Sequence, residues 1–371
     1  LINGKEYDGI GNVLKTTLNS LIDNYVFVRN SIDGKLPSEV QYFESGKIAN
    51  VYNLRVASWL GPLRYASEYY NTVKYFSRHS EAIDAYVAID PLNALSAIRL
   101  KNKGKVKKVI FYTADYSPKR FGNLLLNYIY HAIDKHCVKR ADEVWSVSTR
   151  ICEVRRDMGL SEERNIFVPN VPPIEYDKYR NNKHNKYELI TTGIIDDQLD
   201  FEGTIKALPE LLKEYPALRF TIVGNGPAEE RLKQLATDLG IEERVEFTGR
   251  LPLDQALERQ STAGIGLALY TGVWGFNYYG DSTKCREYFN FGLPVISTDT
   301  HSTVEDIKES GAGLVVELSK EGYMHAIREI LDNYEFYSSA SRTAGESYSG
   351  IHKKELKRLL ADEHKYKGLT L

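Results

Sequence analysis

Short apolar runs alternate with longer segments whose apolar positions recur every three or four residues, the pattern of strands alternating with helices. Tyr25 to Val28, Ala85 to Ile89, Val109 to Tyr112, Val144 to Ser148 and Ile166 to Asn170 read as strands. Val13, Leu14, Leu18, Leu21 and Ile22 mark a helix, and the aromatic residues between Tyr65 and Phe76 another. Gly122 to Arg140 predicts a helix with Leu125, Ile129, Ile133 and Cys137 along one apolar stripe, while residues 29–55 follow neither period. Pro172-Pro173 and the polar run from Asp177 to Lys186 then break every periodicity. A second series follows: Glu188 to Gly193, Arg219 to Val223, Val245 to Gly249, Ile265 to Leu269 and Gly313 to Val316 as strands, with helical patterns between them. This alternation predicts an α/β protein with two doubly wound, Rossmann-like parallel-sheet domains facing across a cleft. The expected boundaries are 1–170, a linker over 171–187, a second domain over 188–333, and a helical segment over 334–371 that packs back toward the first domain.

Composition narrows the class. The 371 residues have the apolar and charged fractions of a globular protein. Three cysteines without paired spacing or partner histidines indicate neither a zinc site nor a disulfide framework, and no metal is expected. No run is long and apolar enough to cross a bilayer, and no basic-then-apolar leader opens the sequence. A cytoplasmic protein, at most peripheral at the inner face of a membrane, is therefore expected. Residues 1–170 hold 24 Lys and Arg against 18 Asp and Glu, about +6, which leaves about −8 of the total of −2 for the remainder. Lys101, Lys103, Lys105, Lys107 and Lys108 form a basic loop that could touch anionic lipid headgroups, and a solvated loop is the alternative reading of the same residues. No nucleic-acid reading motif accompanies that charge.

Candidate chemistry concentrates in the stretch from Gly280 to Ile296. Ser282 or Thr283 can cap a helix there, and Gly292 can end it in the left-handed conformation. Lys284 and Glu287 then share one face, while Cys285 and Phe289 point to an apolar one. A helix N-terminus carrying a cation suits a phosphate, and the carboxylate can accept from hydroxyls. A solvated helix start with a surface ion pair fits the same residues. Asp115, after the strand ending at Tyr112, sits where open sheets place ligands, and a turn aspartate fits it equally. Gly9 and Gly11 lie in a loop that could let a ligand approach the backbone.

The order of motifs is more specific than any one of them. The second half has Val223-Gly224-Asn225-Gly226-Pro227, Phe247-Thr248-Gly249, Lys284-Cys285-Arg286-Glu287-Tyr288 and Gly292-Leu293-Pro294-Val295-Ile296. In that order these segments resemble the donor-binding domain of GT-B glycosyltransferases, particularly family 4. The first half is similar through Gly9 and Gly11, Asp115, Ala141-Asp142 before Val147-Ser148, and Pro169-Asn170. The resemblance implies sugar transfer from a nucleotide-diphosphate donor to a hydroxyl of a glycan or lipid-linked acceptor. It further implies retained anomeric configuration and no cofactor or metal. It assigns Lys284, Glu287 and Asp115 to the chemistry and Gly193, Gly224, Asn225, Gly226, Arg250, Asp281, Ser282 and Thr283 to the donor. Gly9 and Gly11 fall on the acceptor side, and Phe276 to Asp281 border the sugar. Two departures stand out. The loop from Gly193 to Gly203 contains no base where relatives carry an Arg and a Lys, and Tyr279 stands near the place of the first of two glutamates. A nucleotide-sugar 2-epimerase on the same fold and a non-catalytic two-domain sugar-binding protein are the alternative readings.

Overall fold

The computed structural model describes residues 9–30, 37–55, 61–79, 82–172, 174, 176–179, 182–272, 277–361 and 369–370. The chain divides into one unit made of Leu1–Pro173 with Gly350–Leu371 and a second made of Ile174–Ser349. The expected helical tail is thus split: residues 334–349 belong with the second unit, and the chain returns to the first only from Gly350, which adopts a positive φ of 69°.

In the first unit the strands are β1 (Asn24–Arg29), β2 (Ser38–Glu44), β3 (Lys47–Leu54), β4 (Ile83–Ile89), β5 (Val106–Thr113), β6 (Glu143–Ser146) and β7 (Asn165–Phe167). Its helices are α1 (Ile10–Asn19), α2 (Gly61–His79), α3 (Pro91–Asn102), α4 (Leu124–Arg140) and α5 (Thr149–Asp157). In the second unit β8 (Glu188–Thr192), β9 (Arg219–Val223), β10 (Val245–Gly249), β11 (Ile265–Ala268), β12 (Val295–Thr298) and β13 (Gly313–Val316) alternate with helices. Those are α6 (Phe201–Glu214), α7 (Glu229–Asp238), α8 (Leu253–Thr262), α9 (Thr283–Phe291), α10 (Thr303–Ser310), α11 (Lys320–Asp332) and α12 (Tyr334–Tyr348). The returning segment adds α13 (Ile351–Ala361) and β14 (Leu369–Thr370) to the first unit.

The first sheet runs β3-β2-β1-β14-β4-β5-β6-β7, parallel from β1 onward, with β2 antiparallel to both β1 and β3. The unassigned stretch 29–55 is therefore largely a hairpin, turned at Ser45 and Gly46, both at positive φ. β3 is exposed along nearly its whole length, so no alternation of apolar and polar residues announces it. The second sheet, β10-β9-β8-β11-β12-β13, is wholly parallel. From β8 the chain builds outward through β9 to β10, then returns to the far side of β8 for β11 to β13. That reversal between β8 and β11 opens a crevice at the strands' C-terminal ends, where such sheets bind ligands.

Three expectations are corrected in the first unit. Gly11 lies inside α1 and is buried, while Gly9 alone precedes the helix, at φ 52°. Helix α4 turns Leu125 and Ile129 to solvent and buries Cys137, so its predicted stripe is a core stripe only toward its end. The basic segment 101–108 is not a free loop. Lys101 ends α3 and pairs with Asp142, while Lys107 and Lys108 lie in β5 and pair with Asp84 and Glu143.

Candidate active site

Helix α9 starts beside the crevice of the second sheet, and its sequence explains why it starts and stops where it does. Ser282 Oγ accepts from the Cys285 N–H at 3.4 Å, satisfying one of the donors left open in the first turn. Gly292, at φ 73°, ends it in the left-handed conformation. Cys285, Tyr288, Phe289 and Phe291 are buried against the sheet. The opposite side is covered by α12, which approaches so closely that a Cβ on Gly345 would stand 2.6 Å from the Phe289 carbonyl oxygen. Ser338 and Ser341 of α12 donate to the carbonyls of Gly292 and Leu293, fixing the helix's exit.

Two polar side chains remain turned toward the crevice, Lys284 and Glu287, both half-buried. They form no ion pair with each other, and among the described residues Lys284 makes no ion pair or hydrogen bond. Its Nζ instead lies over the Tyr270 ring, 5.3 Å from the centre, and a Cβ on Gly193 would be 3.7 Å from it. Tyr270 is held edge-on by His301, with ring centres 5.3 Å apart. Burial pushes the Lys284 ammonium down to about 8, against the attraction of Cys285, Glu287 and Asp196. Burial likewise pushes the Glu287 carboxyl up to about 7, opposed by a hydrogen bond from Gln260 and by Lys284. A cation and a carboxylate, each moved toward neutrality and not paired with each other, mark a candidate place for something else to bind.

The glycine loops around them have a structural reason of their own. Gly193 follows β8 at φ 143°, and its N–H donates to the Val223 carbonyl. A Cβ on Gly224 would fall 1.8 Å from the Gly193 carbonyl oxygen, and one on Gly226 would meet the Ile195 backbone at 2.3 Å. The Ile195 N–H donates to Asn225, and the Ala228 N–H to Ile195. Gly224 and Gly226 are thus required by the contact between the β8 and β9 loops, whatever those loops bind. Arg250 follows β10, exposed, one residue past Gly249, whose carbonyl accepts from Gly224. The base missing from the loop at 193–203 is not replaced there. The loop contributes Asp196, and the base that reaches it, Arg231 of α7, is held by Glu202 and Asp197.

Asp281 departs from its expected role. Its carboxylate is buried and accepts from Arg286 Nη2 at 2.8 Å and from Thr303 Oγ1 at 2.8 Å, so it anchors the helix start instead of facing the crevice. Ser282 is likewise engaged as the cap, and Thr283 is the first helical residue. Phe276 lies outside the described residues. In the other unit Asp115 is part-exposed and pairs with Arg120 at 2.6 Å. Beside it is a residue that directly follows the strand read over Ala85 to Ile89. Asp90 caps α3 at a strained φ of 73°, and burial, with a contribution from Asp115, pushes its carboxyl up to about 6. Tyr270 was equally silent in the sequence, because an aromatic residue after an apolar strand reads as more strand.

Among the described residues no group of three or more His, Cys, Asp or Glu side chains could hold a metal ion. No helix among them is long and apolar enough to cross a membrane.

Two Rossmann-like units, the second with Lys284 and Glu287 on the helix that starts at its switch point, define a protein of the GT-B fold. HepE of Anabaena, solved in complex with UDP, shares that fold at a TM-score of 0.57 and 16% identity, over 82% of this chain and 83% of its own. Residues 174–346, just under half of the chain, match the family described as Glycosyl transferases group 1. A GDP-mannose-dependent phosphatidylinositol monomannoside mannosyltransferase of Mycolicibacterium smegmatis is 31% identical over 114 residues, 30% of either chain. The chain thus spans under a third of that relative's length in the match. The lipopolysaccharide 1,6-galactosyltransferase of Salmonella typhimurium is 26% identical over 318 residues, 81% of this chain and 78% of that protein.

Proposed function

We propose that this protein moves a sugar from a nucleoside-diphosphate donor to a hydroxyl of a glycan or lipid-linked glycan, retaining the anomeric configuration and using no metal. The observation that carries this reading is at the start of α9: Lys284 and Glu287 are half-buried and shifted toward neutrality, and they form no ion pair with each other. The relatives' names support the substrate class, since one uses GDP-mannose, HepE was solved with UDP, and the mannosyltransferase and galactosyltransferase act on lipid-anchored glycans.

As the bond from the anomeric carbon to the diphosphate oxygen breaks, negative charge grows on the phosphate and the sugar becomes oxocarbenium-like. Lys284 and the positive end of α9 meet that charge. Glu287, as carboxylate, accepts from the ribose hydroxyls. Gly193, Asn225 and Arg250 border the nucleotide. Asp115 orients the acceptor or the sugar.

The two shifted groups set the pH range of donor binding. Above about 8 the free Lys284 loses its charge, and below about 7 the free Glu287 gains a proton and can no longer accept at both oxygens. Nucleoside-diphosphate affinity is therefore greatest between these values and falls on either side. A thermal-shift panel of nucleoside diphosphates, run across that range, checks this. Stabilisation by none of them, or an acid limb unchanged in Glu287→Ala, sinks the donor-site assignment.

A further inference from the structure

Tyr270, two residues past the end of β11, is fixed from several sides. Its backbone bridges antiparallel to Leu199, which ties it to the loop at 193–203, and its carbonyl accepts from Thr298 Oγ1 at 2.8 Å. The next residue strengthens that tie, since the Thr271 N–H donates to the Gln198 carbonyl and Thr271 Oγ1 to the Asp197 carbonyl. The Tyr270 hydroxyl shares a 3.4 Å hydrogen bond with Ser282 Oγ, the cap of α9. Buried His301, with Nε2 at 2.9 Å from Ser297 Oγ, meets the Tyr270 ring at 77° between planes. With backbone, hydroxyl and ring all engaged, the ring has one orientation, and Lys284 Nζ lies 5.3 Å from its centre.

That contact differs in kind from an ion pair. A ring face attracts an ammonium through its quadrupole but carries no net charge, so the cation is oriented without being cancelled. Burial pushes the Tyr270 phenol up to about 12, so the ring is still neutral where Lys284 titrates. The charged and titratable groups that face Lys284 are Glu287 and Cys285 of α9 and Asp196 of the loop after β8, with His301 behind the ring. Among the described residues neither carboxylate pairs with it. Arg231, the base that reaches the same loop, is by contrast held by Glu202 and Asp197.

We propose that Tyr270 is the positioning residue for Lys284, its ring holding the ammonium at the start of α9 as an uncancelled charge for the donor's diphosphate. The inference rests on the transfer reading above. It accounts for how one lysine serves where the loop at 193–203 brings no base. Tyr270 acts through Lys284 and needs no contact with the donor.

Competitive acetylation of Lys284 in the unliganded chain, read by mass spectrometry across pH, follows the charge of the ammonium without any donor. Tyr270→Phe keeps the ring and leaves the titration at the parent value of about 8. Tyr270→Leu keeps the apolar cover without the ring and moves it about one pH unit lower, the tenfold change expected of a cation–ring contact in a partly buried place. Phenylalanines with progressively more ring fluorines at position 270, close to one another in shape, move it down stepwise, and they decide the matter should Tyr270→Leu not fold. Coupling gives the second readout. Above pH about 8, Tyr270→Leu lowers nucleoside-diphosphate affinity up to about tenfold in the parent and leaves it unchanged in Lys284→Gln. The same Lys284 titration in the parent, leucine and fluorinated proteins overturns the proposal, and so does a loss of affinity that is equal with and without Lys284. A parent that binds no nucleoside diphosphate sinks the transfer reading instead, and the acetylation series still decides whether the ring holds the lysine.

Discussion

Lys284→Gln lowers kcat/KM for sugar transfer by roughly a hundred- to a thousandfold, the loss typical of removing one donor aimed at developing charge. The upper end is expected because the loop at 193–203 supplies no second base, and its Asp196 lies on the side of repulsion. Most of the loss falls on kcat, since charge on the leaving diphosphate is greater in the transition state than in the bound donor. The pH dependence separates this from a structural effect. In the parent the free ammonium titrates at about 8, so the gap between parent and variant narrows as pH rises past that value. Steady-state kinetics with the donor that stabilises the protein, measured on both sides of that pH, gives the answer. A variant that loses the same factor at every pH leaves Lys284 without a charge role.

Periodicity carried the fold where burial is one-sided or complete, and failed where it is neither. The inner strands of the second sheet are apolar runs because they are covered on both faces, and β8, β9 and β11 lie where the runs predicted them. The hairpin of β2 and β3 was invisible because β3 packs against nothing that would select apolar residues on one face. Helix α4 misled for the opposite reason: its leucines are apolar without being core. At the site, Ser282, Gly292 and the Lys284–Glu287 spacing were legible because capping and helical periodicity are local rules. Tyr270 and Asp90 were not, since one acts through a ring face presented from another strand end and the other through a φ of 73° that no residue pattern specifies. The buried pairing of Asp281 was not legible, because nothing in the sequence ties it to Arg286, which Asp306 shares.

That partnership makes the largest stability effect expected in the second unit. Arg286 is buried, donates to Asp281 at 2.8 and 3.0 Å and to Asp306 at 2.6 Å, and lies 4.4 Å over the Tyr348 ring. Tyr348 itself donates to Asp306, so the network joins α9, α10 and α12. Arg286→Leu leaves two carboxylates without their cation and costs about 3–5 kcal/mol, the range for breaking a buried pair from one side. For a unit of this size that is a fall in melting temperature of roughly 10 °C or more. Removing the stranded charges as well, in Arg286→Leu with Asp281→Asn and Asp306→Asn, recovers part of the loss, because the cost lies in the uncompensated carboxylates more than in the missing attraction. Calorimetric melting of the parent, single and triple variants measures both steps. Asp281→Asn alone then separates its two possible roles. As an anchor of the helix start it lowers melting temperature and weakens nucleoside-diphosphate binding only in proportion, through a loosened Ser282 cap. If binding is lost while the melting temperature holds, the carboxylate contacts the donor after all and the buried pairing with Arg286 is not its working state.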